Sequence, residues 1–208
     1  QGGFVRNPIT LLLELLRLKK KIKIITISGS SGAGKTTLVR ELLKRHPDWR
    51  MVLSVTSREP RESSDLPGEY RCNVSRKDIL RLKRGGKCLW AEVAHGNIYV
   101  TLLADVDQAI ERKPVSFMQL LPVSVRNIRE YAPGRVLSIF VLSPDEDELR
   151  RRLRKRGEAD DEIERRISDC RRWEEEALLS VIPYEYVTNS GTIEEAVSKV
   201  EKVISSYT

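Results

Sequence analysis

The sequence predicts an α/β fold in which a parallel sheet flanked by helices is built around a phosphate-binding loop. Three adjoining stretches carry this expectation. Gly29-Ser30-Ser31-Gly32-Ala33-Gly34-Lys35-Thr36 fits the pattern G-x-x-x-x-G-K-[ST]. Residues 22–28 before it, Ile-Lys-Ile-Ile-Thr-Ile-Ser, are apolar and β-branched enough for a buried parallel strand. Residues 37–45 after it carry leucines and a valine at helical spacing. A strand, a glycine-rich turn and a helix in that order are the setting in which backbone N–H groups and a helix N-terminus converge on a phosphate. The glycines let the backbone bend and approach the anion without Cβ clashes. Lys35 is placed to reach β- and γ-phosphates, and the Thr36 hydroxyl to hold Mg²⁺.

A chain of 208 residues holds one sizeable core with small inserted parts more readily than two independent domains. The net charge of +7, with 32% charged residues, suits an anionic ligand, although so many Lys, Arg and Glu equally suit an ion-pair-rich surface. Cys72, Cys88 and Cys170 show no C-x-x-C spacing, and with His46 and His95 as the only histidines the usual soft metal ligands form no cluster. Unpaired thiols point to a reducing, cytoplasmic setting.

Before the first strand, residues 8–20 read as an amphipathic helix, with Asn7 as cap, Pro8 at its first position and dense leucines. Packing on the core or on a second subunit of a homodimer is the expected use. The apolar run at 11–16 is too short to span a bilayer, contains Glu14 and leads into Lys19-Lys20-Lys21, so it reads as neither signal nor anchor, and no membrane contact is expected. After the loop helix, His46-Pro47-Asp48 breaks the pattern and residues 49–55 alternate as a second strand. Further on, residues 149–156 and 160–176 read as two charged helices joined by a turn at Gly157.

From that second strand onward the chain resembles the guanylate kinases, P-loop nucleoside monophosphate kinases. The resemblance rests on Ser54-Val-Thr-Ser-Arg58-Glu-Pro-Arg61, Tyr70, Leu89-Trp90-Ala-Glu-Val, and Gly96-Asn97-Ile-Tyr99-Val-Thr101. It continues in Arg152-Leu-Arg-Lys-Arg156-Gly157, in Ile163-Glu-Arg-Arg166 and in Tyr184-Glu-Tyr-Val-Thr-Asn189, and covers about residue 22 to the C-terminus. It implies a P-loop NTPase fold with a core of residues 22–53, 102–149 and 177–208. A monophosphate-binding region at 54–101 and a lid at 150–176 would be inserted in it, with 1–21 outside as a helical extension. It implies ATP and Mg²⁺ as cofactors and transfer of the γ-phosphoryl group to a nucleoside monophosphate, GMP being the first expectation. The loop from Gly29 to Thr36, with Thr37 and the adenine-side Asn189, would bind ATP. Ser54, Arg58, Arg61, Tyr70, Leu89, Tyr99, Thr101 and Gln119 would bind the acceptor, while Lys35, Arg152, Arg156 and Arg166 would be catalytic.

The chemistry asks for such groups in its own right. Phosphoryl transfer needs the acceptor phosphate held in line with the γ-phosphate, and planar guanidinia fork onto its oxygens while hydroxyls complete the cradle. Lid arginines would neutralise the migrating group and exclude water. With aromatics at 6% and no stacking pattern, nucleic acid is not an expected partner.

The resemblance breaks at the base. The family's glutamate before the tryptophan, which receives guanine N1–H and the 2-amino group, is here Leu89. Its D-x-D strand end falls on Phe117 and Gln119, and the glutamate expected between the clamp and Tyr70 falls at Ser64, beside Asp65. Asp65 or Glu92 are the available substitutes. Losing acids that hydrogen-bond a base relaxes or redirects specificity, so a pyrimidine monophosphate or a ribose phosphate, in a pocket lined by Leu89, Phe117 and Met118, is an alternative acceptor. A catalytically silent phosphopeptide-binding domain is another, which intact Lys35 and Thr36 argue against.

Overall fold

The computed structural model describes residues 21–30, 32–61, 65–94, 96–112, 114–155 and 157–207. The helix expected at 8–20, and with it Ser31, Ser64 and Arg156, lies outside these residues.

Apolar residues on successive positions, not alternate ones, are what a strand covered on both faces requires, and β1 (Ile24–Gly29) is buried along its whole length. It lies in the middle of a five-stranded sheet of order β2-β7-β1-β8-β9, formed with β2 (Arg50–Met51), β7 (Ser116–Gln119), β8 (Val136–Leu142) and β9 (Tyr184–Thr188). Every strand pairing in it is parallel. Ile25, Ile27, Phe117, Ile139 and Val141 face one layer of helices, α1 (Lys35–Arg45) and α7 (Ile193–Ser205), through Leu38, Leu42, Val197 and Val200. Ile24, Met118 and Phe140 face the other, formed by α3 (Leu103–Glu111) and α4 (Pro122–Tyr131) through Val106, Val125 and Ile128.

Between β2 and β7 the chain builds a second, four-stranded sheet of order β4-β3-β6-β5: β3 (Ser54–Thr56), β4 (Tyr70–Arg71), β5 (Cys88–Ala94) and β6 (Asn97–Leu102). One helix, α2 (Arg76–Arg84), covers it through Ile79, which packs with Val55 and Val100. The single strand expected at 49–55 is therefore two. Val52 N donates to Phe117 O in the large sheet, and two residues later Ser54 N donates to Glu69 O in the small one, each at 2.8 Å. The backbone changes partners at Leu53, which alternation alone does not reveal.

The charged helical pair is α5 (Glu146–Lys155) and α6 (Asp160–Leu178). Its seam is Leu149 and Leu153 against Ile163, Ile167 and Cys170, all buried. Ion pairs clothe its outer faces, among them Arg150–Glu164 at 2.8 Å and Arg151–Glu148 at 2.6 Å; such exposed pairs contribute about 0–1 kcal/mol each.

Candidate active site

The loop from Gly29 to Thr36 joins β1 to α1 where the parallel strands end, the place where open parallel sheets bind ligands. Gly34 adopts φ +90° at the N-cap of α1, and a Cβ there would overlap Asn189 Nδ2; one at Gly29 would overlap the Val141 carbonyl oxygen. Gly32 lies under Leu149 of α5. Asn189, buried just past β9, donates to Ala33 O at 2.7 Å and so pins the loop from above. Among the described residues no side chain caps α1, and the N-terminus of a helix is where backbone N–H groups point at an anion. Lys35 Nζ donates to Gly29 O at 2.7 Å and Ser30 O at 2.8 Å, holding the ammonium over the loop. Thr36 Oγ1 donates to Gln119 Oε1 at 3.2 Å, at the end of β7, while Thr37 is exposed.

A cavity of about 500 Å³ opens from this loop, lined by Gly29 and Lys35 at one end and by Arg58, Arg61, Tyr70 and Tyr99 at the other. Arg58 is 7% exposed, with Nη1 and Nη2 on the Asp65 carboxylate at 2.9 and 2.5 Å, a further bond to Glu59 O, and its guanidinium 4.8 Å from the Tyr70 ring centroid. The Asp65 hydrogen bonds hold Arg58 charged, above its ordinary value. Burial alone would raise the Asp65 carboxyl, but Arg58 and the Arg61 N–H outweigh it and bring the group below the usual carboxylate range. Arg61 itself is exposed at the cavity wall, its side chain unpaired among the described residues. Burial pushes the Tyr70 phenol far above its ordinary value, reinforced by neighbouring Glu69, so at neutral pH it remains a hydroxyl donor. Its ring meets Tyr99 edge-on at 5.9 Å.

From the lid side Arg166 and Trp173 of α6 reach the cavity. Arg166 is paired with Glu158 at 2.5 Å and Glu162 at 3.2 Å. Arg152 lies off the cavity wall but against the loop: its Nη2 donates to Asn189 O at 3.3 Å and its Nε to Glu148 at 2.8 Å. Lys35, Arg58, Arg61, Arg165 and Arg166 outnumber Glu92, Glu162 and Asp169 around the cavity, a balance that concentrates phosphate groups there.

Several expected residues lie elsewhere. Ser54 and Thr101 are buried and bond each other across β3 and β6 at 2.8 Å, which ties the strands together instead of facing the cavity. Leu89 is the extra residue of a bulge in β5, between the pairs Cys88–Leu102 and Trp90–Thr101, and packs on the core. Phe117 is fully buried against Trp49, and Met118 is 2% exposed in the opposite core layer, so neither lines a base pocket. The positions at and just past the end of β7 that do face the cavity are Gln119, Leu120 and Leu121. Sequence reasoning missed Trp90 and Leu121 on the wall, and Glu69 behind Gln119. It named Glu92 only as a substitute; the bulge at Leu89 puts Trp90 and Glu92 on the cavity side, where Glu92 accepts the buried Ser124 hydroxyl. The signal for Glu69 was available: a carboxylate directly before Tyr70, in a segment that supplies the cradle.

The guanylate kinase family model matches residues 21–207. The chain is 34% identical over 192 residues to a protein named guanylate kinase from Prochlorococcus marinus subsp. pastoris, covering 91% of this chain and all of that one. It is 35% identical over 182 residues to the guanylate kinase of Myxococcus xanthus, covering 87% of this chain and 85% of that one. Among solved structures, guanylate kinase from Anaplasma phagocytophilum superposes with a TM-score of 0.67 at 21% identity, over 90% of this chain and 87% of that one, which supports the fold. The chain belongs to the guanylate kinase family and is a nucleoside monophosphate kinase, a phosphotransferase.

Proposed function

We propose that the enzyme transfers the γ-phosphoryl group of ATP to GMP. The observation that carries this reading is the single cavity whose one end is Lys35 and the phosphate loop and whose other end is Arg58, Arg61 and Tyr70, with the Glu92 carboxylate on the wall between strands and lid. A phosphate oxygen of the acceptor attacks the γ-phosphorus, the bond from that phosphorus to the β–γ bridging oxygen breaks, and ADP and GDP leave. The loop N–H groups and Lys35 hold the donor phosphates, and the exposed Arg61 guanidinium with the Tyr70 hydroxyl holds the acceptor phosphate. Arg58, clamped by Asp65, sets the shape of that cradle. Arg152 and Arg166 approach the migrating group from the lid, meet its charge and displace water.

Oxygen donors suit Mg²⁺, and the groups gathered behind the loop are of that kind: the Thr36 hydroxyl, the Gln119 amide oxygen and the Glu69 carboxylate. Thr36 would hold the ion, which would neutralise charge on the donor phosphates.

Glu92 is the acceptor suited to guanine N1–H and the 2-amino group, and the name shared by the relatives supports that base. The apolar Leu120 and Leu121 on the same wall favour a second reading, a pyrimidine monophosphate. Rates of ADP formation with ATP and each of GMP, AMP, UMP, CMP and dTMP separate the two. A GMP rate below that of UMP or CMP at equal concentration would establish the second reading and sink the first.

A further inference from the structure

Glu69, one of the oxygen donors behind the loop, is assigned no contact with nucleotide or ion by these roles. It is 6% exposed, and both its oxygens are engaged: Oε2 accepts the Leu66 N–H at 3.0 Å and Oε1 the Gln119 side-chain amide at 2.9 Å. Its own carbonyl accepts from Ser54 N at 2.8 Å, so it is anchored in the sheet that carries Tyr70. Gln119, at the end of β7, reaches the other way to Thr36 at 3.2 Å.

The chemistry of these three groups fixes which atom donates. An ionised carboxylate only accepts, so Gln119 turns its NH₂ to Glu69 and its oxygen to Thr36. That amide oxygen also only accepts, so the Thr36 hydroxyl donates and keeps its lone pairs turned from Gln119. An acid at position 119 would instead set two carboxylates within hydrogen-bond distance of each other, and one would have to be protonated. Gln119 and Glu69 therefore belong together: the negative charge lies one side chain further out than a carboxylate at the strand end would put it.

We propose that Glu69, acting through Gln119, is a positioning residue that orients the Thr36 hydroxyl so that its oxygen is presented to the divalent cation of the bound nucleotide. This rests on the reading above of Thr36 as the Mg²⁺ ligand. Outer partners of this kind change metal affinity about 10- to 100-fold when removed.

The test is calorimetric titration of ATP into the full chain, once with Mg²⁺ and once with EDTA in its place, for the wild type, Glu69→Gln, Gln119→Leu, the double variant and Thr36→Val. A glutamine at 69 keeps the volume but cannot accept from Leu66 and Gln119 with two separate oxygens. The expected result is that the gain in ATP affinity on adding Mg²⁺ falls about tenfold in Glu69→Gln and in Gln119→Leu, and no further in the double variant. Affinity in EDTA stays within about twofold of wild type. Should Glu69→Gln fail to fold, Gln119→Leu at its half-buried site decides alone. Full Mg²⁺ enhancement in the folded variants alongside its loss in Thr36→Val overturns the positioning role and leaves the Thr36 reading standing. Retention in Thr36→Val as well overturns both. Equal weakening with and without Mg²⁺ shows that Glu69 only supports the fold, and also overturns the proposal.

Discussion

Replacing Gly34 with alanine tests the closeness with which Asn189 is packed over the phosphate loop. Gly34 has φ +90° and ψ +15°, a left-handed conformation that costs a residue with a Cβ about 1–2 kcal/mol. The added carbon would also overlap Asn189 Nδ2, with Asn189 Cγ at 3.5 Å and Arg152 Nη1 at 3.9 Å. The amide has to swing away, and its hydrogen bond to Ala33 O, 2.7 Å long and buried, is lost. Leaving that carbonyl unpaired costs about 1–3 kcal/mol, so the two contributions together amount to about 2–5 kcal/mol, a large part of the 5–15 kcal/mol typical of a domain. Gly68 provides the control: its φ is +74°, and a Cβ there meets nothing within 4 Å. Gly68→Ala should therefore show the conformational cost alone. Urea unfolding of both variants measures the difference, and ATP binding by Gly34→Ala should weaken along with its stability. Equal destabilisation by the two substitutions would mean that Asn189 does not pack on the loop as described.

Lys35→Ala should reduce phosphoryl transfer by a factor of about a thousand or more, while circular dichroism and the unfolding midpoint change little, since the side chain bonds loop carbonyls and does not pack in the core; near-wild-type transfer would remove the loop from the mechanism. Asp65→Asn should destabilise the fold by about 3 kcal/mol at neutral pH, because Arg58, 7% exposed, keeps its charge and loses its partner. Since the Asp65 carboxyl is depressed in the folded state, its contribution is complete above the unfolded carboxylate value of about 3.9 and is lost as the pH falls further. The gap in urea midpoint between wild type and Asp65→Asn should thus narrow toward pH 3, and a pH-independent gap would contradict the pairing.

The parts of the fold legible in the sequence are those whose pattern is local. Buried residues on both faces of β1, the loop pattern after it, and the 149/153 and 163/167 seam of the lid helices all follow from spacing. The illegible parts depend on partners far along the chain. Whether residues 49–55 make one strand or two depends on the carbonyls of Phe117 and Glu69. The bulge at Leu89 is a one-residue event in β5, yet it decides which later side chains face the cavity. Motif spacing counted back from Trp90 points to Leu89 as the residue that reads the base, while the bulged strand presents Trp90 and Glu92. The same holds at β7, where Phe117 belongs to the core and the cavity-facing positions begin at Gln119.

The proposal that Glu92 reads the guanine of GMP is tested most directly by the ratio of kcat/KM for GMP to that for AMP, in the wild type and in Glu92→Gln. Glu92 lies on β5 with the buried Ser124 hydroxyl as its described partner, and the amide oxygen of a glutamine can still accept that hydroxyl. The wild type should prefer GMP, and Glu92→Gln should lower the ratio about 10- to 100-fold, the worth of about 1.5–3 kcal/mol for hydrogen bonds to a charged group, chiefly through the GMP value. A wild-type preference for GMP that survives Glu92→Gln unchanged, or no preference for GMP in the wild type, would contradict it.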